Sequence, residues 1–175
     1  MSKIDYDLSK IKAIAFDVDG VLSPAVVPID SDGNPRRMAN IKDGYALVRA
    51  ILSGLKLAII SGADTEPVRR RFELIGFTDI YLGHIEKLPV LKAWMAENGL
   101  TPEQVAYCGD DIPDILPMRH VGLAVAPRDA DPDVKSVAKF ISTAAGGCGV
   151  ARELIEEIMK TQGTWPAADK LAFGQ

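Results

Sequence analysis

The sequence predicts an α/β protein, a doubly wound parallel sheet from which one β-hairpin projects. Three observations lead there. Short apolar runs, among them Ile11 to Phe16, Lys56 to Ile60 and Leu123 to Ala126, have the character of strands buried on both faces. Stretches with apolar residues at helical spacing separate them, opened by Asp, Thr or Pro and several of them closed by glycine. The linkers are short, and strand–helix–strand repeated with short linkers gives right-handed crossovers and a parallel sheet. At 175 residues, 47% hydrophobic and 25% charged, the chain reads as a single domain spanning 1–175. Repeats and low-complexity tracts are absent.

The first strand, Ile11 to Phe16, ends abruptly in Asp17-Val-Asp19-Gly20. Val21 to Asn40 then breaks the rhythm. Its Asp30-Ser-Asp-Gly-Asn-Pro35 cluster is a turn signal between two extended pieces, which predicts the hairpin, with Asp30 and Asp32 as turn residues. A helix follows from about Gly44 to Ser53, opened by Asp43 and closed by Gly54. Strand two, Lys56 to Ile60, ends in Ser61-Gly62. Asp64-Thr-Glu-Pro67 opens the next helix and Gly76 ends it. Asp79 to Leu82 is a third strand, and Lys87 to Asn98 a helix closed by Gly99. Thr101-Pro-Glu starts at most one turn before strand four, Val105 to Cys108. A helix to His120, a strand at Leu123 to Ala126, a short helix at Asp131 to Val137 and a strand at Phe140 to Ser142 follow. A last helix runs from Val150 to Thr161, and Gln162 to Gln175 reads as a polar, flexible tail in which Trp165, Leu171 and Phe173 are out of place.

The chemistry lies in what ends each strand. Along an extended chain Asp17 and Asp19 lean the same way, about 7 Å apart. Two carboxylates so placed repel unless a cation or proton compensates, and a hard divalent cation with oxygen ligands does so. Strand two ends in Ser61, strand four in Gly109-Asp110-Asp111 with Asp114 beyond, and Lys87 opens the helix after strand three. In a parallel sheet these tips share one edge, the edge where open α/β sheets bind ligands. One acid-tipped strand is commonplace; several polar tips of this kind point to a metal-dependent site.

Composition excludes other classes. The net charge of −4 argues against a surface for nucleic acid or anionic membrane. No apolar run approaches the roughly 20 residues that span a bilayer. The N-terminus has no apolar core and does not read as a secretory signal, and Cys108 and Cys148 fit no metal spacing, so a reducing, cytoplasmic setting is expected. Cys108, in an apolar strand, reads as core.

Asp17-Val-Asp19-Gly20, Ser61, Lys87 and Gly109-Asp110-Asp111-x-x-Asp114 resemble, in order and spacing, the four motifs of the haloacid dehalogenase superfamily of phosphatases. From about Ile11 to Met159 the chain is more specifically similar to the 3-deoxy-D-manno-octulosonate 8-phosphate phosphatase family. That likeness is carried by Phe16-Asp-Val-Asp-Gly-Val-Leu-Ser23, Asn40-Ile-Lys-Asp-Gly-Tyr45, Val105-Ala-Tyr-Cys-Gly-Asp-Asp111 and Ala145-Gly-Gly-Cys-Gly-Val-Ala-Arg-Glu153. The resemblance implies a Rossmann-like fold and Mg²⁺ held by Asp17, Asp110 and the backbone carbonyl of Asp19. It implies Asp17 as nucleophile, forming an aspartyl-phosphate, and Asp19 as acid and base. Ser61 would donate to a phosphoryl oxygen and Lys87 would neutralise charge in the transition state. Asp111 and Asp114 would hold the metal and Lys87 in place. Asn40, Lys42, Asp43, Gly44, Gly62, Arg71 and Lys87 would contact substrate, whereas Arg69 and Arg70 fit a solvated helix face.

Two positions depart from the family pattern. Ala63 stands where an Arg usually follows the strand-two Ser/Thr-Gly, and Cys148 where the Gly-Gly-x-Gly loop usually carries Arg. Both remove a cation suited to a sugar-acid carboxylate, so a related nine-carbon ulosonate phosphate is the competing substrate. Many relatives carry a cap domain after the first motif; here only the hairpin is available. The resemblance therefore implies a homotetramer assembled through that hairpin, with apolar Val26, Val27 and Ile29 in the interface and a neighbour's Trp165 and Phe173 reaching the site. It also implies a place in lipopolysaccharide sugar synthesis. A phosphoacceptor receiver module is disfavoured, since strand three ends in Leu82-Gly83 without an acid and strand four carries an acid cluster receivers lack. A non-catalytic scaffold is disfavoured by the intact Asp17, Asp19, Ser61, Lys87 and Asp110.

Overall fold

The computed structural model describes residues 2–166. Six parallel strands form one sheet in the order β3-β2-β1-β4-β5-β6. They are β1 (Ala13–Phe16), β2 (Lys56–Ile60), β3 (Asp79–Tyr81), β4 (Val105–Cys108), β5 (Leu123–Ala126) and β6 (Phe140–Ile141). The helices are α1 (Ile41–Leu52), α2 (Glu66–Ile75), α3 (Lys87–Glu97), α4 (Ile115–His120), α5 (Pro132–Val137) and α6 (Val150–Thr161). The chain winds outward from β1 through β2 to β3, then returns to place β4 on the other side of β1. This reversal makes a topological switch point between β1 and β4, beyond whose carboxyl ends a ligand crevice opens.

The strands bury both faces, and alternation sorts their side chains into two cores. Ile14, Phe16, Leu57, Ile59, Cys108 and Val125 face α1, α2 and α6; Cys108 is wholly buried, as expected of a core cysteine. On the other face Ala13, Ala15 and Ala58 are small, which makes room for Trp94 of α3 and for Tyr107. Large side chains thus pack against small ones across this layer.

Element boundaries agree with the sequence expectation within a residue or two, with four exceptions. Helix α1 begins at Ile41 rather than Gly44, because Asn40 is its N-cap: its side chain accepts from the N–H groups of Lys42 and Asp43. The helix after strand four is split into a 3₁₀ turn, Ile112–Asp114, followed by α4. The projecting segment forms no strands. It is a loop whose ends meet at one antiparallel bridge, Ile29 to Pro35, closed by Asp30 N–H to Asn34 O at 2.9 Å and Arg36 N–H to Pro28 O at 2.7 Å. Prolines at 28 and 35 supply no ladder donors, so the hairpin stays vestigial. Asp30 does act within the turn, accepting from the backbone of Asp32 and Asn34.

The fourth exception is the tail. Trp165 is docked on its own chain, edge-on to Tyr45 at 6.1 Å between ring centroids, with the Arg152 guanidinium 4.6 Å from its ring. It is therefore not free to serve a neighbour in this arrangement. Leu171 and Phe173 lie outside the described residues. No helix among the described residues is long and apolar enough to cross a membrane.

Candidate active site

The polar strand tips meet at the switch point. Asp17 follows β1 directly, tied by its N–H to Cys108 O at 3.0 Å. Its Oδ1 accepts from the Val18 N–H at 2.6 Å and its Oδ2 lies 2.7 Å from Lys87 Nζ. Lys87, the first residue of α3, donates equally closely to Asp114 Oδ1, at 2.7 Å. Asp114 is fully buried and saturated. Its Oδ1 also accepts from Tyr107 Oη at 2.8 Å, and its Oδ2 from the Asp110 N–H at 3.0 Å, with the Asp111 N–H at 3.4 Å. One carboxylate thus fixes both the ammonium and the backbone that carries Asp110.

Buried ions of one sign must be compensated. Burial first, and the Asp114 charge second, raise the Asp17 carboxyl to about 6, against the pull of Lys87. Burial disfavours the Lys87 ammonium, but Asp17 and Asp114 outweigh it and raise its pKa. Asp110 is pushed up to about 8, by burial and then by Asp17 and Asp114.

Carboxylate oxygens of Asp17, Asp110 and Asp114 lie within 4.8 Å of one another. Asp114 is committed to Lys87 and the loop, which leaves Asp17 and Asp110 to take a cation. A crowded, half-compensated oxygen set of this kind fits a hard divalent ion such as Mg²⁺. The Asp19 carboxylate stands outside the group, so any part for Asp19 in metal binding falls to its backbone carbonyl.

Two glycines make this closeness possible. Gly20 has φ +76°, and a Cβ there would stand 1.8 Å from Asp110 Oδ2. Gly146 packs so tightly that its Cβ would meet Gly20 O at 2.0 Å. The Ala145–Gly149 motif therefore supports the loop after β1 from behind.

Ser61 ends β2 buried, with its Oγ accepting from the Ala63 N–H at 3.2 Å, so its hydroxyl proton remains for a ligand. Asp111 is exposed and accepts from the Ile112 N–H at 2.8 Å, starting the 3₁₀ turn. It serves the turn and does not touch Lys87.

Beside this centre a cavity of about 560 Å³ opens between the projecting loop, α1 and α2. Asn40, Asp43, Gly44 and Arg71 line it. Asn40 is nevertheless occupied structurally, since its Nδ2 donates to Gly147 O at 3.0 Å while its Oδ1 caps α1. Asp43 is buried, accepts from the Arg152 N–H at 2.7 Å, and is raised to about 6, chiefly by burial. Lys42 does not face this cavity; it lines a separate groove with Cys148 and Arg152, because it lies on the outer side of the first turn of α1. Gly62 is exposed and has open space where a Cβ would point. Arg70 pairs loosely with Glu73, at 3.9 Å, as a surface residue.

Two partners were missed in reading the sequence. Tyr107 reaches Asp114 from a strand position that reads as core. Arg37 crosses from the projecting loop and forks onto Asp19, Nε to Oδ1 and Nη2 to Oδ2, each at 2.8 Å. The Arg36-Arg37 pair just after the turn was the available signal, but nothing in its spacing names Asp19 as the partner.

Known proteins are similar to this chain over most of its length. A family model for haloacid dehalogenase-like hydrolases matches residues 46–154. The 3-deoxy-D-manno-octulosonate 8-phosphate phosphatase of Escherichia coli K12 is 35% identical over 153 residues, 87% of this chain and 81% of the relative. The crystal structure of the Yersinia pestis phosphatase of that name superposes with a TM-score of 0.86 at 34% identity, over 90% of this chain and 85% of that one. The Moraxella catarrhalis phosphatase, solved with magnesium, phosphate and KDO, gives 0.85 at 33% identity, over 89% and 90% of the two chains. The chain belongs to the haloacid dehalogenase-like hydrolases and has their Rossmann-like fold.

Proposed function

We propose that this protein is a Mg²⁺-dependent phosphomonoesterase that releases phosphate from 3-deoxy-D-manno-octulosonate 8-phosphate, with Asp17 as nucleophile. One observation carries the reading: Lys87 Nζ sits 2.7 Å from both Asp17 Oδ2 and Asp114 Oδ1, at the switch point of the sheet. This holds a buried carboxylate ionised and aimed beside a fixed positive charge. Relatives of that name, alike over most of their length, supply the substrate.

Phosphate monoesters resist attack because their anionic oxygens repel a nucleophile. Asp17, Asp110 and the backbone carbonyl of Asp19 would hold Mg²⁺, which would supply positive charge to offset this repulsion. Asp17 attacks phosphorus, forming an aspartyl-phosphate as the sugar oxygen departs with a proton from Asp19. Lys87 and the Ser61 hydroxyl stabilise charge on the equatorial phosphoryl oxygens. Asp19 then takes a proton from the water that hydrolyses the intermediate and frees Asp17.

We assign the protein to the cytoplasm, in sugar-acid synthesis, and infer a homotetramer joined through the projecting loop. Val26 and Ile29 on that loop, and Met38 and Ile41 near its end, are exposed apolar residues. The test is phosphate release with Mg²⁺ from a panel of sugar phosphates that includes the eight- and nine-carbon ulosonate phosphates. The same preparation is sized by gel filtration. Preference for the eight-carbon acid and a tetramer's mass are expected. Preference for the nine-carbon acid would overturn the substrate, and a monomer's mass the assembly.

A further inference from the structure

Both oxygens of the Asp19 carboxylate are taken by Arg37, in a two-pronged pair with each contact at 2.8 Å. Guanidinium and carboxylate match in shape, and such forks are among the stronger charged pairs. Held this way, Asp19 faces the projecting loop, with neither oxygen free to give a proton to a leaving group. Its role in the proposed reaction, on which this inference rests, requires that it let go.

The two partners are not equally fixed. The Arg37 side chain is 13% exposed, that of Asp19 44%. The backbone on either side of Arg37 is anchored, Arg36 N–H on Pro28 O at 2.7 Å and Met38 N–H on the buried Ser23 Oγ at 3.0 Å. Arg37 Nη1 reaches Pro35 O at 3.4 Å as well. Arg37 is the post and Asp19 the movable partner. Arg37 also lines the 560 Å³ cavity, together with Arg36 from the same loop and Arg71 from α2. A ligand anion entering this cavity meets cations from two sides.

We propose that Arg37 determines specificity by exchanging partners: it holds the Asp19 carboxylate in the free protein and passes to the carboxylate of the incoming sugar acid, which releases Asp19 toward the leaving oxygen. Replacing one carboxylate by another keeps the fork and its charge balance, so the exchange costs little. A sugar phosphate without a carboxylate offers Arg37 nothing in return, and Asp19 stays clamped. Discrimination then has a repulsive element built against the wrong substrate as well as an attraction for the right one. It would also supply a cation for the sugar acid where Ala63 and Cys148 offer none.

The test compares kcat/KM for the eight-carbon sugar-acid phosphate and for mannose 6-phosphate, which lacks the carboxylate, in wild type, Arg37→Ala and Arg37→Lys at saturating Mg²⁺. Wild type favours the acid. In Arg37→Ala the acid should lose about tenfold or more, the scale of one charged hydrogen-bonded contact, while mannose 6-phosphate gains because Asp19 is no longer held. Arg37→Lys, a cation without the fork, should fall between. A loss of similar size on both substrates would show that Arg37 only supports the loop, and no change on either would equally overturn the proposal. Failure of wild type to favour the acid would remove the substrate assignment, and the exchange with it.

Discussion

At the scale of single residues, the site is organised by Asp114, which is fully buried. It gathers Lys87, Tyr107 and the backbone of Asp110 around one buried carboxylate. Tyr107 shares Asp114 Oδ1 with Lys87, so removing its hydroxyl loosens the ammonium without changing any group that meets phosphate. Tyr107→Phe should lower kcat about 3- to 10-fold with little change in KM, the scale of one neutral hydrogen bond. Steady-state kinetics would show this, and an unchanged kcat would contradict it. Asp17, Ser61 and Asp110 were legible in the sequence because each stands just beyond the end of a strand, and Lys87 because it opens the helix after one; a parallel topology converts that order along the chain into proximity. Tyr107 and Arg37 were not. A tyrosine inside an apolar strand reads as core until the facing carboxylate is located, and an arginine on a loop has no periodicity to fix where it points.

At the scale of elements, β1, β2 and β4 each supply a polar tip and the helix starts hold the tips in register. Helix α6 illustrates this. Its first turn gives the Arg152 N–H to Asp43 of α1, and its Glu153 is gripped by Ser142, Thr143 and Lys3. Burial works against the Glu153 carboxylate, but these donors prevail and hold it at about 2, below the ordinary 4.5. A carboxyl depressed on folding contributes stability that is complete above its unfolded pKa and lost as pH falls through the folded one. Stability should therefore decline between about pH 4.5 and 2, and Glu153→Gln should flatten that part of the curve. Chemical denaturation at a series of pH values tests this; an unaltered slope in the variant would contradict it. The strands were legible from their apolar runs. The start of α1 was displaced because Asn40 caps through a side-chain contact, and the hairpin stayed a single bridge because its prolines lack ladder donors.

At the scale of the molecule, the order β3-β2-β1-β4-β5-β6 puts the reversal of winding between β1 and β4, and that is why Asp17 and Asp110 meet. The alternation of strands and helices was enough to foresee this. What the sequence left open is how the short loop after β1 acts as both wall and clamp, since its position depends on the backing of Gly146 and the anchor of Ser23. In the proposed reaction this architecture makes Asp17 a covalent nucleophile. Acid quenching during turnover of the eight-carbon substrate, followed by peptide mass spectrometry, tests it most directly. A phosphoryl group on the Asp17 peptide, missing in Asp17→Asn along with phosphate release, is the expected result; undiminished phosphate release by Asp17→Asn would contradict it.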